Sequence, residues 1–366
     1  MSYLITGGAG YIGSHVVRAL RQAGETVVVL DDLTTGVAAR VPEDVPLVVG
    51  STLNRALLDT TFAEHGITDV IHLAAKKQVG ESVEMPLLYY RENVHGLQTL
   101  LEAMAAGGVG RLVFSSSAAV YGMPDVELVT EDTPCTPINP YGETKLVGEW
   151  MVRAAGRAHG ISTACLRYFN VAGTATPELA DTGVFNIVPM VFERLTAGAA
   201  PRIFGDDYDT PDGTCIRDYI HVADLAEAHV AAARKLAGPG PVRDLTLNIG
   251  RGEGVSVREM IDLITGITGH QGVTAEVTPR RAGDPARVVA AADRITDELG
   301  WKARHDVRDM ITSAWAGWQH HHPQGCRGPA RASAAAGPRV PGAPAAVGGA
   351  GAVRCDGRRS RRVCGR

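Results

Sequence analysis

The chain has 366 residues, 45% of them apolar and 21% charged, with a formal net charge of −4. A chain longer than one core usually supports predicts a large domain with a smaller companion, and no run approaches the roughly 18 apolar residues of a membrane span. Residues 319–366 carry nine arginines against the single Asp356, which leaves the rest of the chain acidic and unsuited to nucleic acid.

Cys135, Cys165, Cys215, Cys326, Cys355 and Cys364 form no C-x-x-C pair, so neither a disulfide framework nor a metal site is expected. Met1 leads almost directly into an apolar run, without the basic segment of a signal peptide, which predicts a cytoplasmic protein.

In chain order, residues 3–6 (YLIT) predict a strand, GGAGYIGSH a turn, and the amphipathic stretch to Ala23 a helix. Residues 26–32, 45–50, 69–75 and 111–117 predict further buried strands: apolar runs, several turning polar at their carboxyl ends. Helical patterns such as LLYYRENVHGLQTLLEAMAAGG lie between them. Strand–helix alternation predicts an α/β fold with a doubly wound parallel (Rossmann) sheet, its ligand cleft beyond the carboxyl ends of the strands. After about residue 174 the rhythm becomes irregular, as in TATPELADTG and FGDDYDTPDG, which predicts a smaller, irregular α/β substrate-facing domain. Residues 221–236 predict a helix, 245–250 a strand returning to the main sheet, and 307–318 a last helix. The expected division is therefore 1–174 with 219–250 in the first domain, and 175–218 with 251–318 in the second. Residues 319–366 are rich in Ala, Gly, Pro and Arg and are expected to form a disordered basic tail.

Gly7, Gly10 and Gly13 follow a strand and open a helix. One glycine makes the turn, one lets backbone N–H groups approach a pyrophosphate, and one lets helix and strand pack closely. Tyr11 and Ile12 lie where the helix N-terminus would face the phosphates. Asp31, 18 residues after Gly13 and followed by Asp32, ends the next strand. A carboxylate there accepts from an adenosine ribose and repels a 2′-phosphate, which favours NAD over NADP.

Tyr141 and Lys145 stand four residues apart in a helical pattern and share one face. A phenol with a pKa near 10 is a poor base, and a neighbouring ammonium together with a positive nicotinamide is expected to lower it. The strand ending in Ser117 can bring that hydroxyl to the same substrate oxygen.

GGAGYIGSH, LDDLTTG, KQVGES, SSSAAVYG, PYGETK, LRYFNVAG and RDYIHVADLAEAHV together resemble the extended short-chain dehydrogenase/reductase family of NAD-dependent epimerases and dehydratases over roughly residues 1–318. The resemblance implies reversible epimerisation at C4 of a UDP-hexose (UDP-glucose and UDP-galactose) through a 4-keto sugar. Tyr141 would take the 4-OH proton, Ser117 orient the hydroxyl, and Lys145 tune Tyr141 and hold the nicotinamide ribose. NAD would take hydride from C4 and return it to the opposite face. By the same likeness Lys77, Asn93, Ser115, Tyr168 and Phe169 lie at the cofactor. The resemblance likewise implies that Asn170, Asn186, Arg217, Tyr219, Arg281, Asp284 and Val288 meet the UDP-sugar, and that the protein is a homodimer built on helices near 86–106 and 141–158.

The chain departs from the family at Ser51, where an acidic residue usually meets the adenine, and at Val288, where some relatives carry a tyrosine that restricts N-acetylated sugars. Ala118 and Ala119 stand where a dehydratase has an acid/base pair and cannot move a proton. A UDP-glucuronate enzyme shares the same tyrosine–serine–lysine core and stays open. So does a wider substrate range that includes N-acetylhexosamines. A regulator that merely senses NAD is disfavoured, because the complete core is retained.

Overall fold

The computed structural model describes residues 1–281 and 283–323. Strand β1 (Ser2–Thr6) runs into the glycine turn and helix α1 (Tyr11–Gln22), followed by β2 (Thr26–Asp31), β3 (Leu47–Val49), α2 (Arg55–His65) and β4 (Asp69–His72). A long helical stretch comes next: α3 (Val79–Glu84), α4 (Pro86–Tyr89), a π-helical segment (Tyr90–His95) and α5 (Gly96–Gly107). The sequence pattern predicts one regular helix over the last three. Its 3.6-residue period does not register the wider π turn.

Then come β5 (Arg111–Ser117), α6 (Pro140–His159), β6 (Ser162–Tyr168), β7 (Asn170–Ala172), α7 (Ile187–Thr196), β8 (Arg202–Phe204), β9 (Ile216–His221), α8 (Val222–Ala237) and β10 (Asp244–Ile249). The remainder is β11 (Gly254–Ser256), α9 (Val257–Thr268), β12 (Glu276–Thr278), β13 (Arg287–Val288), α10 (Asp293–Leu299) and α11 (Val307–His321). The last helix runs to His321 rather than stopping at 318, so residues 319–321, assigned to the tail by composition, are helical. The expectation of disorder beyond residue 323 lies outside the described residues.

Seven strands form one parallel sheet in the order β10-β6-β5-β4-β1-β2-β3. The order reverses beside β1, the switch point where open α/β sheets bind ligands. Both faces are covered, and the strands alternate between them. Tyr3, Ile5, Val27 and Val29 enter the core under α1 and α8, whereas Leu4, Val28 and Leu30 enter the one under α2, α5 and α6. This is why these strands read as unbroken apolar runs.

A second sheet joins β7, β11 and β13 to β9, and β8 pairs with β12. Helices α7, α9 and α11 share the core of this region around Phe192, Met260, Ile264 and Met310. No helix among the described residues is long and apolar enough to cross a membrane.

Candidate active site

The glycine turn is set by close packing. Gly7 has φ +74°, and a Cβ on it would lie 2.7 Å from the Ala74 nitrogen. A Cβ on Gly13 would lie 2.1 Å from the Gly7 carbonyl oxygen, closer than any side chain tolerates. At Gly10 the nearest atom would be that same oxygen at 3.2 Å, so its surroundings are more open. Gly10 caps α1 without a side-chain acceptor, which leaves the first-turn N–H groups to an external anion. This cradle fits a dinucleotide pyrophosphate. Tyr11 donates its hydroxyl to the Gly173 carbonyl at 2.6 Å, and Ile12 packs against the core under α1.

Asp31 ends β2 as expected, and it also holds the turn together. One carboxylate oxygen accepts from the Ala9 N–H and the other from the Leu33 N–H, both at 2.9 Å. Burial pushes its pKa up, against the pull of these two backbone donors. Leu33, with φ +57°, is the only non-glycine among the described residues in the left-handed region. Asp32 accepts from the Thr34 N–H at 2.9 Å. The Ser51 hydroxyl accepts from the Leu53 N–H at 3.2 Å, so it serves its own turn.

The three serines ending β5 divide by strand alternation. The Ser115 carbonyl accepts from Lys145 Nζ at 2.7 Å. Ser116 donates to Glu149 at 2.6 Å in the buried interior. Ser117 Oγ accepts from the Ala119 N–H at 3.1 Å. It caps the short turn that follows while keeping its own hydrogen free to donate.

Helix α6 carries the other two residues of the expected triad. Asn139 caps it by accepting from the Gly142 N–H at 2.9 Å, with Pro140 at its first position. Gly142 and Gly148 let it lie close to β5, since a Cβ at either would sit 2.6 Å from Ala119 or Phe114. Lys145 Nζ lies 5.9 Å from the Tyr141 ring centre and 5.3 Å from that of Phe114.

Burial lowers the Lys145 pKa to about 7. It also raises that of Tyr141, opposed by the neighbouring Ser117 hydroxyl. Among the protein's own groups, burial sets the direction for Tyr141. The Lys145 ammonium is aimed at the Ser115 carbonyl. His72, at the end of β4, is held neutral: burial and then the Lys145 charge lower its pKa to about 3.

Lys77 is exposed, while Asn93 is buried with its amide committed to Lys76 and Thr144. Tyr168, at the end of β6, is buried, which pushes its pKa up; the nearby Ser115 opposes this only in part, and the Tyr168 hydroxyl has no hydrogen-bond partner among the described residues. Phe169 packs with Val120, Tyr121, Leu146 and Val288.

Four of the expected sugar-side residues, Asn170, Arg217, Tyr219 and Val288, lie on the small sheet. Asn170 pairs with Tyr219 between β7 and β9, and Val288 pairs with Arg217 between β13 and β9. Arg217 forms an ion pair with Asp284 and donates to the Ile216 carbonyl at 2.8 Å. Arg281 stacks 3.7 Å from the Phe204 ring centre, and Asn186 stands exposed at the start of α7, donating to Asp181 at 3.3 Å.

Two supports have no local signature in the sequence. Glu149 is fully buried and pairs with Arg167 at 2.6 Å, and Arg167 reaches the Tyr121 hydroxyl at 2.9 Å. Asp218, buried between β9 and the loop after β10, accepts from the Arg251 and Gly252 N–H groups at 2.9 Å and from Ala290 at 3.2 Å.

A glycine-cradled strand–helix turn in a 3-2-1-4-5-6 sheet, with tyrosine, lysine and serine at the end of β5, defines a dinucleotide-binding protein of the short-chain dehydrogenase/reductase type. The sequence profile of the NAD dependent epimerase/dehydratase family matches residues 3–250, and the chain belongs to that family. A UDP-glucose 4-epimerase of Azospirillum brasilense is 46% identical over 325 residues, 86% of this chain and 91% of the relative. The solved UDP-glucose 4-epimerase of Stenotrophomonas maltophila, with bound NAD and formylated UDP-arabinopyranose, superposes with a TM-score of 0.82 at 41% identity, covering 88% of this chain and 99% of that one. That of Bifidobacterium longum, in complex with NAD+ and UDP, superposes at 0.80 with 37% identity, covering 89% and 100%.

Proposed function

We propose that the protein interconverts UDP-glucose and UDP-galactose by reversible epimerisation at C4 through a 4-keto sugar. The observation that carries this reading is the grouping of Tyr141, Ser117 and Lys145 at the end of β5, followed directly by Ala118 and Ala119. The group can move one proton at a carbinol, and the alanines supply no second acid/base pair to eliminate water.

Ser117 donates to the sugar 4-oxygen and orients its proton toward Tyr141 Oη. Tyr141 accepts that proton and later returns it to the same oxygen. Burial raises the proton affinity of the phenolate, toward that of a sugar hydroxyl, and lowers that of the amine, so the two groups are driven apart. The phenolate is thereby the stronger base of the two, the property needed to take a proton from a carbinol. NAD, held by the glycine cradle and Asp31, supplies reversible hydride acceptance at C4. Lys77, Tyr168 and Phe169 flank the cofactor.

The large sheet forms the cofactor half. The regions 175–218 and 251–318 form the nucleotide-sugar half, where Arg217 and Arg281 offer planar donor forks suited to a diphosphate. Asn170, Asn186, Tyr219 and Asp284 complete that side, and Val288 faces the sugar. Two copies pair through α4–α6: Leu87 is 81% exposed and Trp150 58%, both large apolar side chains of the kind an interface covers. Sedimentation of the purified protein tests the pairing.

The test of the activity is incubation of purified protein with UDP-galactose and no added NAD. UDP-glucose appears, and Tyr141→Phe loses turnover by roughly a hundredfold or more with its fold and bound cofactor retained. A 4-keto-6-deoxy sugar or a pentose as product overturns the proposal.

A further inference from the structure

The segment bearing Lys77 is gripped on both sides. Asn93 accepts from the Lys76 N–H at 2.8 Å and donates to the Lys76 carbonyl at 3.0 Å. Tyr89 accepts from the Gln78 N–H at 2.8 Å, and its hydroxyl hydrogen faces the Gln78 carbonyl at 2.7 Å and Glu81 at 2.8 Å. Both residues that flank Lys77 therefore have their backbone N–H and C=O groups held by side chains, whereas Lys77 itself is exposed and has no hydrogen-bond or ion-pair partner among the described residues.

The two gripping residues come from one place. Tyr89 ends α4 and Asn93 lies in the π-helical segment that follows. Residues four apart on a helical stretch lie on one face. Asn93 spends its second N–H on Thr144 Oγ1 at 3.0 Å, and Thr144 donates to the Tyr141 carbonyl at 2.8 Å. With both hydrogens engaged, the Asn93 amide has no donor left for a ligand. Tyr89 is fully buried, yet its hydroxyl is the group that meets Gln78.

We propose that Tyr89 and Asn93 are positioning residues: a clamp on the π-helical segment that fixes Lys76 and Gln78, presents the Lys77 ammonium to the cofactor, and keeps it in register with Tyr141 through Thr144. The inference rests on the cofactor reading of Lys77 given above. It differs from that reading in assigning Asn93 to the chain rather than to the ligand. Lysine carries four rotatable stem bonds and loses much of its directing power unless its backbone is fixed. The clamp supplies that fixation at both neighbours.

The test uses the full-length protein and two readouts. In Tyr89→Phe, an almost isosteric change, amide hydrogen exchange at Gln78 speeds up by roughly tenfold while the exchange of β5 and α6 is unchanged. NADH binding, followed by its fluorescence, weakens severalfold in Tyr89→Phe and in Lys77→Ala. In the double variant it weakens no further than in Lys77→Ala alone, because Tyr89 acts through Lys77. If Lys77→Ala weakens binding and the two effects add, the clamp is overturned while the reading of Lys77 stands. Unchanged binding in Lys77→Ala overturns both. Unchanged exchange at Gln78 in Tyr89→Phe overturns the clamp directly.

Discussion

Lys145 and Tyr141 lie one helical turn apart, with the Lys145 amine 5.9 Å from the Tyr141 ring centre and hydrogen-bonded not to the phenol but to the Ser115 carbonyl at 2.7 Å. The lysine thus ties α6 to the end of β5 and fixes where the phenol stands relative to Ser117. Its cost is the burial of an ammonium, which lowers its pKa to about 7.

That cost has a defined pH dependence. Below pH 7 the folded and unfolded chains both carry the proton, and the penalty is fully present. Between pH 7 and the unfolded lysine value of 10.5, the unfolded chain binds more protons, so the penalty is relieved as pH rises. Relative to a Lys145→Met variant, wild-type stability should climb across this window, by at most about 1.4 kcal/mol per pKa unit. Urea denaturation of both proteins at pH 6.5 and 9.5 reads the difference. Parallel behaviour of the two proteins would contradict the buried ammonium.

The glycine turn separates packing from ligand contact. Gly13→Ala places a Cβ 2.1 Å from the Gly7 carbonyl oxygen. This should destabilise the fold by about 3 kcal/mol and abolish cofactor retention. Gly10→Ala meets that oxygen at 3.2 Å. It should melt near the wild-type temperature while binding NADH more weakly. Thermal melts with fluorescence titration check the pair, and equal melting of the two variants would refute the distinction.

Glu149 is expected to matter for stability more than its distance from the substrate suggests. Its carboxylate pairs with Arg167 and accepts from Ser116, and neither charged side chain is more than 4% exposed. Glu149→Ala strands a buried guanidinium and should cost about 3–5 kcal/mol, read as a lower denaturation midpoint. Glu149→Gln, which keeps hydrogen bonding without the charge, should fall between the two.

Substrate range should turn on Val288, which pairs with Arg217 in register and packs beside Phe169. Wild-type protein is expected to turn over UDP-N-acetylglucosamine as well as UDP-glucose. Val288→Tyr should lower the N-acetyl reaction by at least about tenfold relative to the hexose, the discrimination a bulkier pocket wall provides. Absence of N-acetyl turnover in active wild-type enzyme would refute it.

The sequence by itself determined six of the seven strands of the large sheet, all but β6, together with the glycine turn, Asp31 at the end of β2, and Tyr141, Lys145 and Ser117 as one group. These follow from local rules: apolar runs, residues with special backbone needs, and a four-residue spacing on a helix. Tertiary structure alone decided how the group's charges behave. Burial raises Tyr141 and lowers Lys145, whereas the spacing of a phenol and an amine suggests only the attraction between them. Structure also supplied the contacts between residues far apart in the chain: Asn93 with Lys76 and Thr144, Glu149 with Arg167, and Asn170 and Val288 brought to either end of β9. Such pairings have no local signal, because each partner taken alone is an ordinary polar or apolar residue of its element. Only the packing of the two sheets and their helices gives it a role.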